Sequence, residues 1–438
     1  MAKIARYNGD LKAFGADSLG TERTVFGDEL TQSDTLDANI TADYLRGWGI
    51  LGAGEKPPKQ FFNGMTFTVS QLLAYLHQMG VAEWNVNQEY HADSIATRSG
   101  LLYQSKTNTN TGNDPATDTT NWKLVSEVVN QNFIINGDFD FWQEKTGLTL
   151  PDSNAHYVAD MITHQRNSQA TDINRQAFAP GQTDVPGEPT YYVNVNKLGA
   201  EVVANIPVEF RIPDVRTLAG EEITFSFWAK AAAPKTFNVQ VNQNFGSGGS
   251  VNAAGPTSNI NVTTSWQRFE ITGTMPSISG KTIGPKSHVL AAILETSGFG
   301  LFSLDVAQAK LEIGSRATRF LKYNMQNELA ECQRFYSKTF DQDVLPGQNT
   351  GDFNGSIPGV GYTGGNLFEG WRYPVIMDST PIVTTYSPNE ASANWSNNVT
   401  TPIATVGLIG DAGARIGSSG GMTPALSYAI HATADARL

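Results

Sequence analysis

Between residues 131 and 318 the chain alternates short strand-like runs with turns, and this alternation restricts it to a β architecture. Glu222-Ile-Thr-Phe-Ser-Phe-Trp-Ala-Lys230 and Trp266-Gln-Arg-Phe-Glu-Ile-Thr-Gly273 are rich in β-branched and aromatic residues, and Gly, Pro and Asn separate such runs. Residues of that type pack well on a pleated surface, and the breakers between them return the chain. An all-β sandwich of ordinary domain size is the expected outcome.

The remaining 250 residues leave room for further units, because a domain usually spans about 100 to 200 residues. Only 16% of the 438 residues are charged against 40% hydrophobic, so the surface is built from Ser, Thr, Asn, Gln and Gly. A formal net charge of −12 and the lack of any Lys/Arg cluster exclude a nucleic-acid partner, which requires concentrated positive charge. Cys332 is the sole cysteine, so intrachain disulfides and cysteine-built zinc or iron–sulfur sites are excluded. The first residues, MAKIARYNGD, lack the apolar stretch of a secretory signal, and no run approaches the roughly 18 apolar residues of a membrane span. The expectation is a protein made in the cytoplasm, without membrane insertion, and released by cell lysis.

Residues 1–65 are rich in Gly, Asp, Thr and Pro and read as an extended arm ordered by a partner. Residues 66–80 predict an amphipathic helix, with Val69, Leu72, Leu73, Leu76 and Met79 on one face, Thr68 and Gln71 as a capping box and Gly80 as the stop. Residues 81–128 carry Trp84, Tyr90, Tyr103 and Trp122 among short polar runs and form a small module with a core of aromatics. In 319–339, Met325, Leu329, Cys332 and Tyr336 follow 4-3-4 spacing, a narrow seam that predicts a helical neck in a homotrimer. Residues 340–438 return to short strands with Gly-rich stretches and read as a distal β domain with exposed loops.

Three resemblances overlay these segments. Trp84, Tyr90, Gly100, Leu102, Tyr103, Pro115 and Trp122 stand in a W-x5-Y, G-x-L-Y, P…W pattern similar to that of many phage tail-fibre proteins and of small chitin-binding-type modules. Asn132-Phe-Ile-Ile-Asn-Gly-Asp-Phe139 and Leu304-Asp-Val-Ala-Gln-Ala-Lys-Leu-Glu-Ile-Gly-Ser-Arg-Ala-Thr-Arg-Phe320 resemble the opening and closing signatures of jelly-roll carbohydrate-binding modules. Glu328-Leu-Ala-Glu-Cys-Gln-Arg-Phe-Tyr336, the run Tyr373 to Pro388, and Tyr428 to Leu438 resemble, in that order, C-terminal domains of phage tail-fibre proteins.

These resemblances imply a mainly β, elongated, multi-domain fibre protein of a tailed phage virion. Residues 1–65 would meet baseplate or tail proteins, and the distal domain would meet host cell-surface polysaccharide. The jelly-roll resemblance implies a structural calcium held by oxygens that include Asp138 and Asp305. Trp395 in its polar loop, Trp371 and Tyr373 beside Arg372, and Trp84, Tyr103 and Trp122 are the glycan-binding candidates, because a pyranose face stacks on an exposed ring; packing as core is the competing role. No zinc helix, phosphate loop or solenoid repeat is present. The expectation is therefore adsorption without catalysis, with a structural collar, neck or baseplate fibre and a depolymerase as the alternatives.

Overall fold

The computed structural model describes residues 12–28, 30–52, 54–126, 131–166, 170–199, 206–296, 300–362, 367–397 and 399–438. It is mainly β, with few helices, and the chain divides into two compact units, Met1–Val128 and Val129–Leu438.

In the first unit, helices α1 (Leu36–Asn39), α2 (Ala42–Arg46) and α3 (Lys59–Met79) precede strands β1 (Ile95–Arg98), β2 (Leu101–Ser105) and β3 (Trp122–Ser126). The described part of the arm is folded, contrary to expectation. Val25 and Phe26 are buried, and the Phe26 ring packs against Trp48 and Phe61 with centroids 5.2 and 5.1 Å apart. Arg23 lays its guanidinium 3.4 Å from the Phe67 ring centroid and is ion-paired with Asp34. A Cβ on Gly64 would collide with the Thr24 carbonyl, so a helix-weakening glycine is used here to let the arm approach α3. Residues 1–11 lie outside the described residues.

Helix α3 starts seven residues before the expected boundary, and the capping box is not formed. Thr68 instead donates from Oγ1 to the Gly64 carbonyl at 2.9 Å, and Gln71 donates to the Asp34 carbonyl at 2.6 Å. Gly80 ends the helix with φ of 71°, a conformation favourable only for glycine.

The second unit opens with two six-stranded antiparallel sheets. One runs β13 (Gln267–Thr274), β10 (Glu222–Ala231), β15 (Phe302–Ile313), β8 (Tyr191–Lys197), β7 (Thr171–Ala177), β4 (Gly147–Thr149). The other runs β12 (Ala253–Val262), β11 (Lys235–Asn244), β14 (His288–Glu295), β9 (Ile206–Pro213), β6 (Ile162–Gln165), β5 (His156–Tyr157). Their inward residues, such as Phe225, Phe227, Val239, Phe210 and Ile293, form one buried core. This is the expected sandwich.

The signature residues build that sandwich. Asn132 donates to the Ala309 carbonyl and accepts from the backbone of Ile134 and Leu311, so it pins the segment before the first strand to β15. Asn136, with φ of 60°, donates to the carbonyls of Phe141 and Asp160. Glu312 accepts from the Thr318 backbone and hydroxyl and pairs with Lys310 at 3.0 Å.

Helix α4 (Met325–Gln333) leads into β16 (Tyr336–Lys338), β17 (Ile357–Val360), β18 (Leu367–Arg372), β19 (Ile382–Tyr386), β20 (Ala404–Gly407), β21 (Gly413–Ser418) and β22 (Ser427–Asp435). β22 pairs with β16, β17 and β19, while β18, β21 and β20 make a second sheet. The expected neck is not a free seam. α4 is nine residues long, Cys332 is fully buried, and Tyr336 lies in a strand opposite Asp435. Of that seam only Met325 is strongly exposed. Gly417 and Ser418, which open one of the Gly-rich stretches of the distal region, complete β21.

The distal strands are also clamped to the sandwich. Arg437 sits between the Tyr157 and Tyr336 rings, 4.5 Å from each centroid, and pairs with Glu144 and Asp435 at 2.6 Å. Tyr157 and Arg211 donate to the Leu438 carbonyl, and Glu328 accepts from the Asn136 backbone. Sandwich, α4 and distal strands therefore pack as one body.

Candidate functional site

A glycan contact needs aromatic faces open to solvent with polar groups at their rim. The outer face of the β13–β10–β15–β8–β7–β4 sheet supplies both. On β8, Val193 and Val195 point into the core, so Tyr192 and Asn194 point out. On β10 the same alternation turns Trp228 and Lys230 outward between buried Phe227, Ala229 and Ala231.

Trp266, at the entrance to β13, and Phe178, just after β7, complete the group. Ring centroids are 4.7 Å apart for Phe178 and Tyr192, 5.4 Å for Phe178 and Trp266, and 5.3 Å for Tyr192 and Trp266, the last pair at 87°. All three rings and Trp228 are only partly buried. Ala307 faces Trp228 across β10 and β15; it is fully buried although outside the sandwich core.

The rim is polar and ordered. Lys230 Nζ lies 5.1 Å from the Trp266 centroid and 5.8 Å from that of Tyr192, and pairs with Asp305 at 3.5 Å. Asn194 donates to Asp305 Oδ1 at 2.6 Å and to Ser303 Oγ at 2.9 Å. Desolvation raises the Asp305 carboxyl above the ordinary aspartate range, against the stabilising bond from Asn194 and the charge of Lys230. The Tyr192 hydroxyl is raised by desolvation and by Asp305. An aromatic floor flanked by a carboxylate, an amide and an ammonium can stack on a sugar ring and pair with its hydroxyls.

Other surfaces fit less well. On the opposite sheet, outward amides are spent on each other: Asn238 donates to Asn259 Oδ1 at 2.9 Å and Thr236 to Asn261 at 2.6 Å. A cleft of 1130 Å³ runs between sandwich loops and α4, but within it Arg216 pairs with Asp214 and Arg334 with Glu331 and Asp378, and its aromatic residues are Phe133 and Tyr323.

The residues expected to contact glycan lie mostly inside. Trp395 is fully buried and donates from Nε1 to the Gly417 carbonyl at 2.9 Å. Trp371 and Tyr373 pack edge to face in the distal core, centroids 4.9 Å apart, and burial pushes the Tyr373 hydroxyl up to about 12. Trp122 and Tyr103 are core of the small module, where Trp122 Nε1 donates to the Asn113 carbonyl at 2.8 Å. Trp84 remains partly open, with the Arg98 guanidinium 4.8 Å from its ring centroid.

The calcium pair is not brought together. Asp305 serves Lys230 and Asn194, whereas Asp138 lines a small cavity with Asp140, Glu328 and the Lys322 ammonium, which lies 3.6 Å from Asp138 and 3.3 Å from Asp140. Among the described residues no group of three His, Cys, Asp or Glu is placed to hold a metal ion. These donors do not fit calcium, and a lysine supplies the positive charge instead. Burial and the neighbouring Asp140 push the Asp138 carboxyl up to about 7.

No protein-family model matches the chain, and no curated protein does. Solved structures similar to the sandwich include a CBM4 (18% identity, 41% of this chain and 99% of that chain, TM-score 0.25) and a cyclase, Fisc, from Fischerella sp. TAU (10%, 44% and 100%, 0.29). A third is the enzymatically active domain of bacteriophage CBA120 tailspike protein 4 (13%, 42% of this chain and 21% of that chain, 0.26). A carbohydrate-binding module, a cyclase and a tailspike domain at one level of likeness leave the functional argument to the side chains.

Proposed function

We propose that this chain is a non-enzymatic adsorption protein of a tailed phage virion, which holds host-surface polysaccharide on the Phe178–Tyr192–Trp266 platform. The observation that carries the proposal is that three clustered rings stay partly open on an ordered sheet face beside Asp305, Asn194 and Lys230. A rigid face of this kind loses little entropy on binding, and each sugar ring covers one aromatic surface, so single sites bind modestly and repeated sites add avidity. The central carboxylate is engaged by an ammonium and an amide, which suits hydroxyl recognition better than proton transfer.

Placement in the virion rests on the ordered motifs from Glu328 to Tyr336, Tyr373 to Pro388 and Tyr428 to Leu438, with the first unit as the part that meets tail or baseplate proteins. The test is affinity electrophoresis of the purified chain in host polysaccharide, followed by size-exclusion chromatography of the polymer. Retardation with unchanged polymer length is expected. Absence of retardation would favour the collar or neck role, and shortening of the polymer would make the protein a depolymerase.

A further inference from the structure

The charges beside the aromatic platform are not evenly displayed. Lys230 Nζ lies 5.1 Å from the Trp266 centroid and 5.8 Å from that of Tyr192, so one ammonium serves the negative faces of two rings. Its side chain is 32% exposed against 15% for Asp305. Both oxygens of that carboxylate are engaged, Oδ1 by Asn194 at 2.6 Å and Oδ2 by Lys230 at 3.5 Å. Asp305 therefore sets the place of the ammonium from below, and the ammonium is what solvent meets beside the rings. A second cation stands on the same face. Arg268 is opposite Trp228 across β13 and β10 and is exposed; its Nη2 donates to Ser226 Oγ at 3.3 Å and to the Thr318 carbonyl, and among the described residues it pairs with no carboxylate. The other acids of this face stand further off. Glu270 lies opposite Ser226, in the next outward pair away from Trp266, and Asp172 lies on β7 opposite Asn196 with its Oδ1 taken by Thr149 at 2.6 Å.

We propose, resting on the reading of this platform as the polysaccharide site, that its ligand is an acidic polysaccharide: Lys230 holds a carboxylate borne by a sugar ring while that ring lies on Trp266 or Tyr192. A neutral sugar stacked on either ring draws the ammonium off the π face and gives it no charge in return. A uronic acid keeps it in place, because its carboxylate accepts a charge-assisted bond from the same ammonium. The geometry suits such a ring. An equatorial carboxyl projects sideways from a pyranose, and Lys230 stands between the two aromatic rings, so a sugar on one of them points its carboxylate at the ammonium shared with the other. Arg268, beside Trp228, offers a further cation to the next acidic unit of the chain. Lys230 is thus the residue that selects for charge, and the rings supply the stacking surface.

The test is affinity electrophoresis of the full chain in host-surface polysaccharide, native and after carbodiimide activation with borohydride reduction, which turns each carboxylate into an alcohol and leaves linkages and phosphates intact. The native polymer should bind about tenfold more tightly than the reduced one, the scale of one charge-assisted bond at a partly exposed site. Added salt should narrow the gap, since it screens such a pair. Lys230→Gln should bring the two polymers within about twofold of each other, and Lys230→Arg should restore the difference. Native and reduced polymer bound equally by the unmodified chain, a comparison that needs no variant, overturns the proposal and leaves the platform as the polysaccharide site. So does a gap that survives Lys230→Gln, or a bound host polymer that carries no carboxylate. If neither polymer retards the chain, the platform itself is not the site, and its preference for acid falls with it.

Discussion

The distal domain turns Trp371, Tyr373 and Trp395 into its core, whereas the sandwich leaves Phe178, Tyr192, Trp228 and Trp266 at its surface. The difference follows from how each region fills its interior. Twelve sandwich strands enclose a core dominated by Val, Ile, Leu and Phe, with Trp142 among them, so Trp228 and Trp266 are not needed there. The distal sheets have four and three short strands, and without large rings they could not exclude water. An aromatic residue on a well-filled fold is therefore the better candidate for contact than one in a polar loop of a small fold.

Three substitutions test that contrast. Trp395→Ala removes the largest fully buried side chain and its Nε1 bond to the Gly417 carbonyl, so it should cost about 3 to 5 kcal/mol in denaturant unfolding. While the variant is still folded it should keep its polysaccharide affinity. Loss of binding at unchanged stability would return the contact to the distal domain.

Asp138 should have a smaller effect that depends on pH. Its folded value of about 7 lies above the roughly 3.9 of an unfolded chain, so between these limits only the folded state keeps the proton. Stability from this group is thus complete below pH 4 and is lost as pH rises through 7. Buried Asp160, pushed up to about 6, adds a slope of the same sign, and His164, pushed down to about 4 by burial, adds the opposite one between about 4 and 6.5. Asp138→Asn should raise stability at pH 8 by on the order of 2 kcal/mol and flatten the decline between pH 4 and 7. Equal slopes for the two proteins would show the carboxylate ionised throughout beside Lys322.

The smallest effect on folding belongs to the platform. Trp266→Ala should change unfolding by less than about 1 kcal/mol, because the ring lies outside the core, yet weaken polysaccharide binding about tenfold, near 1.4 kcal/mol. Undiminished affinity would remove the platform from the site.

Much of the fold was legible because it follows from local pattern. Strand-like runs from Glu222 to Lys230 and from Trp266 to Gly273 became β10 and β13, and Gly80 stopped α3 as its freedom at positive φ requires. The candidate site was not legible. Phe178, Tyr192 and Trp266 come from three places in the sequence and meet because β13, β10, β15, β8 and β7 lie side by side. Trp228 and Trp266 were visible as strand residues, but nothing in their own runs distinguishes an outward ring from an inward one. Asp305, read as a calcium ligand, takes its role from Asn194 and Lys230, far away in sequence.

The two helices divide the same way. Spacing of apolar residues established that α3 and α4 each carry a seam, since three or four positions bring a side chain back to one face wherever the helix sits. It could not decide which seam is filled from within. Tertiary structure buries Cys332 of the second, ends that helix before Tyr336, which it buries in β16, and leaves Leu72 and Leu76 of the first open. Periodicity is a property of neighbouring residues and is written in the sequence, but the cover over an apolar face comes from groups tens or hundreds of positions away, and only the packed chain brings them there.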